Sequence, residues 1–198
     1  MYACRKERSL EGTIIDYHCG YAPYSAGSSF TYQYTNSSGD TSHYELLVTG
    51  DTTINGHLYS VLSDGSADQF VRCDNGSYFL YEQALSLPDY QLEEGDRLFL
   101  HDNYSEGSSW NDTVSVTIAG VEQTGLLQYH MLKKEAVHTV LGNDYKDVIV
   151  VRQDAAVLIG ETAYPAGTIA TYYYALGVGY IETASPTDTI RLQHYAIR

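Results

Sequence analysis

The sequence predicts an all-β protein: a curved antiparallel sheet, or partial barrel, built from two related halves. Three observations lead to this prediction. Short segments rich in tyrosine and other strand-favouring residues recur along the chain. Glycine, asparagine and aspartate cluster between these segments, as hairpin turns require. The tetrapeptide Gly-Ser-Ser-Phe at 27–30 also returns at 107–110 as Gly-Ser-Ser-Trp, and each copy opens a similar series of segments.

The first series of strands begins at the first tetrapeptide. A loop signal at 36–40, Asn-Ser-Ser-Gly-Asp, follows the opening strand, and Asp-Asn-Gly at 74–76 marks a tight hairpin. Between and after these turns the chain alternates in the manner of half-buried strands. Strands are therefore predicted at 29–35, 42–49, 57–63, 68–73, 76–82 and 96–101.

The second series follows the second tetrapeptide, with a turn signal Gly-Asn-Asp at 142–144. One segment, 126–137, is ambiguous, because Leu127 and Met131 lie four residues apart and would also suit a helix. Its counterpart at 44–48 alternates like a strand, which favours a strand here as well. Strands are predicted at 112–119, 124–133, 145–152, 168–175, 178–183 and 189–196.

The two series match at further positions, which supports duplication of a small sheet. Matched residues are separated by 80 to 86 positions, a period that is too long for a solenoid repeat. Chance similarity in a composition rich in glycine, serine and tyrosine is the alternative. We expect residues 1–20 to be an N-terminal tether and 21–198 to be a β-domain with halves at about 21–85 and 86–198. The matched triplets are Tyr44, Gly56 and Tyr59 in the first half and Tyr129, Gly142 and Tyr145 in the second.

Composition excludes one large class of functions. The 198 residues include 25 acidic and 11 basic side chains, which give a formal net charge of −14. A nucleic-acid-binding surface needs clustered lysine and arginine, so this chain is not expected to bind nucleic acid. No apolar run approaches the roughly 18 residues of a membrane helix. Contact with a membrane is therefore expected only through a lipid anchor.

The three cysteines suggest that such an anchor exists. Cys4 follows a small residue, Ala3, and precedes a polar stretch, as in the lipid-attachment site of bacterial lipoproteins. Cys19 and Cys73 would then remain as a possible disulfide in an oxidising compartment, with two separate buried thiols as the alternative. The expected location is outside the cytoplasm, lipid-anchored at the outer membrane or on the periplasmic face.

Two segments resemble a known group of proteins. Residues 21–32, Tyr-Ala-Pro-Tyr-Ser-Ala-Gly-Ser-Ser-Phe-Thr-Tyr, resemble the opening Tyr-x-Pro-x-x-x-Gly-x-x-Trp-x-Tyr of uncharacterised Bacteroidetes-type exported lipoproteins. The Tyr-rich strand at 171–174, followed by Gly-Val-Gly at 177–179, is similar to the closing segment of that group. The resemblance spans about 21–183, with Phe30 in place of the more usual tryptophan. It implies an exported, lipid-anchored β-protein of unknown role, and it carries no catalytic residues across.

The side chains that could support chemistry are weakly arranged. The seven histidines form no ligand pair at i,i+2 or i,i+4, and no Cys-x-x-Cys is present, so neither a metal site nor a cofactor is predicted. The polar cluster at 101–106 suits a solvated loop better than a Ca²⁺ site. Glu93, Glu94 and Asp96 could supply a carboxylate pair for glycoside hydrolysis if two of them faced one cleft. On balance the sequence predicts a protein that is not an enzyme.

Aromatic side chains give a better case for binding. On a strand they project at two-residue spacing and could stack on a sugar ring or line an apolar cavity, although packing in the core is the competing explanation. We predict a small apolar, glycan or peptide ligand, with a structural role in a cell-envelope or surface assembly and a glycoside hydrolase-like enzyme as alternatives. The candidate ligand-facing aromatics are Tyr32, Tyr34, Tyr78, Trp110, Tyr172 and Tyr174.

Overall fold

The computed structural model describes residues 19–87, 90–118 and 120–198. Its fourteen elements are all β-strands, and they form one curved sheet in which each paired neighbour is antiparallel, which confirms the predicted all-β class. The strands are β1 Ser29–Thr35, β2 Thr41–Ile54, β3 His57–Ser63, β4 Asp68–Asp74, β5 Ser77–Glu82, β6 Leu85–Leu87, β7 Tyr90–Leu92, β8 Gly95–His101, β9 Ser109–Ile118, β10 Val121–Val140, β11 Asn143–Ile159, β12 Thr162–Ala175, β13 Gly179–Ala184 and β14 Thr189–Ala196.

The predicted bounds of β1, β3 and β14 equal the observed bounds. The three strands predicted between 121 and 175 are shorter than the observed ones. The ambiguous segment 126–137 lies within the 20-residue strand β10, so the strand interpretation is confirmed. Strands β6 and β7 were not predicted, because three residues are too few to show an alternating pattern. In the part of the chain that the structure describes, no helix is long and apolar enough to cross a membrane.

The strand order falls into two runs of six. Strands β1 to β5 with β8 form the first, and β9 to β14 form the second. The runs join where β1 pairs with β14, from Ser29 opposite Ala196 to Thr35 opposite Thr189. The β6–β7 hairpin between them attaches to β9 through β7. A single sheet therefore contains both runs, and its middle is the pairing of the first strand with the last.

The two tetrapeptides make the same backbone contacts at the entry to β1 and β9. Gly27 N donates to Val48 O at 2.8 Å, and Gly107 N donates to Met131 O, also at 2.8 Å. The ladder shifts register directly after Val48 and again directly after Met131, so a bulge follows the matched position in both runs. Bulges bend the strand that carries them, which helps to curve the sheet. Duplication of an ancestral unit stays a prediction.

The pairing corrects one of the residue matches. Phe30 lies opposite Leu46, and Trp110 lies opposite Tyr129. The residue that corresponds to Tyr129 is therefore Leu46, whereas Tyr44 lies two positions earlier along β2. The sequence match relied on the similar spacing from Tyr44 to Gly56 and from Tyr129 to Gly142. That spacing misleads, because the β10–β11 hairpin is longer than the β2–β3 hairpin. The match of the turn residues Gly56 and Gly142 does agree with the structure, since both adopt a φ of +83°.

The concave side of the sheet holds the core in two adjoining clusters. Fully buried residues of the first cluster include Phe30, Ile181 and Leu192, which come from strands at the centre of the sheet. The second cluster includes Trp110 and Met131 and lies toward the second run. Rings at the border between the clusters leave part of their surface uncovered, and this surface lines the cavity described below.

The outer strand of each run, β8 in the first and β9 in the second, meets the other through side chains of β9. Strand β8 ends the first run, and its Leu98 N donates to Asp112 Oδ2 on β9 at 3.2 Å. Trp110 Nε1, also on β9, donates to Leu98 O at 3.3 Å. The N–H and C=O of an end strand thus find partners without a backbone ladder, which protects an edge that would otherwise attract another strand. We call this contact between β8 and β9 the seam.

Candidate ligand cavity

A cavity of about 240 Å³ lies on the concave side of the sheet, between the two runs. Water occupies roughly 30 Å³ per molecule in the liquid, so the space suits one small ring system or a short chain. Both runs contribute to its wall, with β1 to β5 and β8 facing β10 to β13. Aromatic rings dominate the wall, and they are Tyr24, Tyr32, Phe99, Tyr129, Tyr172, Tyr174 and Tyr180.

Five of the six tyrosine hydroxyls of this wall hydrogen-bond to the protein itself. Tyr32 Oη donates to the backbone oxygen of Tyr180 at 3.0 Å. Tyr172 Oη donates to Gln153 Oε1 at 2.9 Å, and Gln153 Nε2 donates to Tyr129 Oη at 2.9 Å. The amide of Gln153 thereby fixes two rings from different strands at once. These interactions leave the faces and edges of the rings, not their hydroxyls, as the surface that a ligand would contact.

One part of the wall is charged. Arg97 Nε donates to Glu82 Oε2 at 3.0 Å, and the arginine side chain is 9% exposed, whereas the glutamate side chain is 36% exposed. Arg97 also donates to the backbone oxygens of Glu93 at 2.9 Å and of Asp96 at 3.4 Å. Gln69, which lines the cavity and is also exposed, lies where the space reaches solvent. The cavity therefore combines an apolar interior with an ion pair.

The segment before β1 completes the wall on one side. Gly20 O accepts a hydrogen bond from Gly177 N at 2.7 Å, so the segment reaches across to the second run. Tyr24 Oη accepts from Tyr180 N at 3.4 Å, and its ring also borders a second, smaller cavity beside Arg72. Tyr24 of this segment and Val71 of β4 line both spaces.

A disulfide holds that segment in place. Cys19 and Cys73 are bonded with their Cα atoms 5.7 Å apart, which is the pairing that the sequence analysis considered. Cys73 lies near the end of β4, so the bond connects the segment before β1 to the body of the first run. Cys4, the candidate lipid-attachment residue, lies outside the described residues, as does most of the expected tether at 1–20.

The structure divides the six candidate aromatics into two sets. Tyr32, Tyr172 and Tyr174 line the cavity together. Tyr78 is fully buried in the second core cluster, where its hydroxyl donates to Asp102 Oδ2 at 2.6 Å. Trp110 is packed in the same cluster and stacks on Tyr129 with ring centroids 5.4 Å apart. The remaining candidate, Tyr34, is half-buried near the end of β1 and does not reach the wall.

Sequence reasoning missed four of the rings in the wall. Tyr24 precedes the first strand, and Phe99 lies on β8, whose place in the sheet depends on long-range pairing. Tyr129 was noted only as a repeat position, and Tyr180 lies in the predicted strand 178–183 without having been singled out. Two-residue alternation identified Tyr172 and Tyr174 because β12 runs regularly through that pair. The missed residues had no comparable local signal.

None of the three acidic residues considered for hydrolysis lines the cavity, and Asp96 is engaged elsewhere. Asp96 pairs with Arg72 through Nε at 3.1 Å, and it accepts a hydrogen bond from Tyr59 Oη at 2.6 Å. Among the described residues that line the cavity, Glu82 is the one carboxylate. In the loop at 101–106, Glu106 Oε1 accepts from the backbone N of Lys134. The described residues hold no group of three or more side chains suited to a metal ion.

Burial changes the ionisation of the wall and predicts a response to alkali. Burial raises the pKa of Tyr24 from 10.0 to about 12, and it raises the pKa values of Tyr32 and Tyr174 as well. The unfolded chain would ionise first, so this contribution is complete below pH 10 and is lost as the pH rises toward 12. For Tyr24 alone, the difference between the pKa values of the unfolded and folded states corresponds to about 3 kcal/mol of folding free energy.

We therefore expect cooperative unfolding in this alkaline range. Tyrosinate absorbance and the loss of far-ultraviolet circular dichroism should rise together in a single pH titration. Ionisation of all 20 tyrosines while the dichroism stays native would contradict the burial of these hydroxyls.

The fold has relatives among solved structures, although no protein-family model and no curated protein match the chain. A candidate lipoprotein from Parabacteroides distasonis ATCC 8503 is similar at a TM-score of 0.51 and 15% identity, over 88% of this chain and 97% of that one. A candidate exported protein from Bacteroides fragilis NCTC 9343, described as having a YmcC-like fold, is similar at a TM-score of 0.51 and 10% identity, over 86% and 96%. At these identities the likeness concerns the fold, which this chain shares with both proteins.

Proposed function

We propose that this protein is an exported, lipid-anchored, non-catalytic binding protein that holds one small ligand in its aromatic cavity. The observation that carries the proposal is the wall itself, in which seven rings from both runs surround about 240 Å³ of space. Concave, mostly apolar cavities with a few placed polar groups are the usual form of small-molecule sites. A space of this size and shape favours a small apolar molecule over an extended glycan or a peptide.

Export and anchoring are supported by separate observations. A disulfide such as Cys19–Cys73 persists in oxidising compartments and is rare in the cytosol. The structural relatives are described as a candidate lipoprotein and a candidate exported protein. With Cys4 as the lipid-attachment residue, the cavity-bearing domain would be held at the outer membrane or on the periplasmic face. Labelling cells with a radioactive fatty acid tests this, and a Cys4→Ser variant should lose the label.

A structural role in an envelope assembly is the second candidate. Strand β12 pairs with β13 only from Thr171 onward, so its stretch from Thr162 to Thr168 has no strand on that side. Nearby, Ile159 and Tyr164 expose 64% and 52% of their surfaces. Pro165 within the stretch weakens it as a template for pairing, which favours the binding role over self-assembly.

Cavity binding is testable with a neutral fluorescent probe, 1-N-phenylnaphthylamine. We expect saturable binding of one probe per chain, with a Leu127→Trp variant binding at least about tenfold more weakly because the new ring fills the space. Leu47→Trp is the matched control, since Leu47 is 45% exposed on β2 and does not line the cavity. Leu80→Phe serves as a second, smaller blocking variant.

Native far-ultraviolet dichroism of each variant would confirm that loss of binding is not loss of folding. Equal binding by wild type, Leu127→Trp and Leu80→Phe would show that the probe binds elsewhere and would remove the main support for the proposal. Light scattering on the same samples reports the mass, and a large assembly without probe binding would favour the structural role.

A further inference from the structure

We propose that the cavity selects an organic cation, with an apolar body among the tyrosine rings and a protonated amine at the Glu82 carboxylate. The inference rests on the proposed function and specifies the chemical class of the ligand. Three features carry it: the aromatic faces of the wall, the free oxygen of Glu82, and the engagement of all three guanidinium nitrogens of Arg97 by other partners.

The ring faces are the first feature. Tyr129, Tyr172 and Tyr180 bond through their hydroxyls to protein partners, so their π-faces and edges are what remains for a ligand. The face of an aromatic ring carries partial negative charge and attracts a cation within about 6 Å, more strongly where water is excluded. An uncharged ligand would gain only burial from these rings, whereas a cation would gain burial and this attraction.

The second feature is the carboxylate. Glu82 Oε2 accepts from Arg97, and no hydrogen bond from the described residues reaches its Oε1. The side chain is 36% exposed, so this oxygen is accessible from the cavity and from solvent. An ammonium group placed here would form a charge-assisted hydrogen bond, which is roughly twice as strong as a neutral one.

The third feature concerns the arginine, which would otherwise favour an anion. Its guanidinium donates to Glu82, to Glu93 O and to Asp96 O, and the side chain is 9% exposed. An anion would find only the remaining N–H groups of a side chain that is largely buried and already bonded through each of its nitrogens. The formal net charge of −14 also lowers the local concentration of anions and raises that of cations.

The test uses three ligands with the same ring system: 2-naphthylmethylammonium, 2-naphthylmethanol and 2-naphthoate. Isothermal titration calorimetry with the wild-type protein should give the ammonium compound the highest affinity, about tenfold above the alcohol, and the carboxylate the lowest. In Glu82→Gln the preference for the ammonium compound over the alcohol should disappear, and native far-ultraviolet dichroism shows that the variant is folded. Added salt should weaken ammonium binding in the wild type.

Glu45→Gln is the matched control for net charge, because Glu45 is exposed on β2 and does not line the cavity. Glu45→Gln should bind the three ligands with the same affinities as the wild-type protein. Equal or tighter binding of the alcohol or the carboxylate would overturn the cation inference and leave the binding function intact. Failure of all three ligands, together with failure of the neutral fluorescent probe, would instead count against the binding function itself.

Discussion

Trp110→Ala is expected to lower the free energy of unfolding by about 3–5 kcal/mol, the cost typical of truncating a large buried aromatic side chain. The indole is 7% exposed and stacks on Tyr129. It also donates to Leu98 O across the seam. The substitution therefore creates a void in the second core cluster and leaves the Leu98 carbonyl without this donor. Urea denaturation followed by circular dichroism measures the loss.

Trp110→Phe separates the two effects. The phenyl ring retains most of the packing but cannot donate to Leu98 O, so this variant should lose a smaller amount, about 1 kcal/mol for the hydrogen bond and the residual space. In both variants the amide of Leu98 should exchange with solvent faster than in wild type, because the seam is weakened. Unchanged exchange at Leu98 in Trp110→Ala would mean that the seam between β8 and β9 does not depend on the indole.

Loss of the Cys19–Cys73 disulfide is expected to have an effect of similar size. The bond spans a sequence separation of 54 residues. In the chain-entropy model, closing a loop of this length stabilises the native state by roughly 4 kcal/mol, and measured losses usually lie between about 2 and 5 kcal/mol. A Cys19→Ser, Cys73→Ser double variant should show this loss in urea denaturation under non-reducing conditions.

The disulfide also affects the cavity, because it fixes the segment that carries Tyr24. We expect the double variant to bind the neutral fluorescent probe more weakly even where it is fully folded. A Cys4→Ser change in every sample removes the third thiol and prevents mispaired disulfides. Wild-type affinity in the folded double variant would show that Tyr24 keeps its place through its contacts with the second run, such as the one to Tyr180 N.

Local patterns were sufficient for the secondary structure but only partly for the cavity. Hairpin signals such as Asp-Asn-Gly at 74–76 and the alternation along β1 and β12 identified strands because both are properties of neighbouring residues. The same alternation located Tyr32, Tyr172 and Tyr174. It could not separate them from Tyr78, since a ring in a filled core and a ring at a cavity have the same two-residue period.

The ion pair in the cavity wall could not be predicted from local sequence patterns, for a different reason. Glu82 and Arg97 meet because β8 pairs with β5, while the intervening hairpin leaves to join β9. The spacing of residues along the sequence does not show that this hairpin pairs with the second run. The register shift between Tyr78 and Phe79 leaves Phe99 as an extra residue on β8, which further changes which residues of β8 face inward. Tyr24 was missed because it lies before the first strand, where a periodic pattern does not apply.

Under the lipid anchoring proposed above, which would hold the domain by its N-terminal end, the position of the disulfide has a mechanical consequence. A pulling force that enters the chain at Cys19 passes through the sulfur bridge to Cys73 as well as along the backbone toward Ser29. Strand β4 has hydrogen-bonded neighbours on both sides, β3 and β5, so the load spreads into the interior of the first run. The bridge thereby protects β1 from being peeled away from β14, and the pairing at the middle of the sheet would resist tension for as long as the thiols stay oxidised.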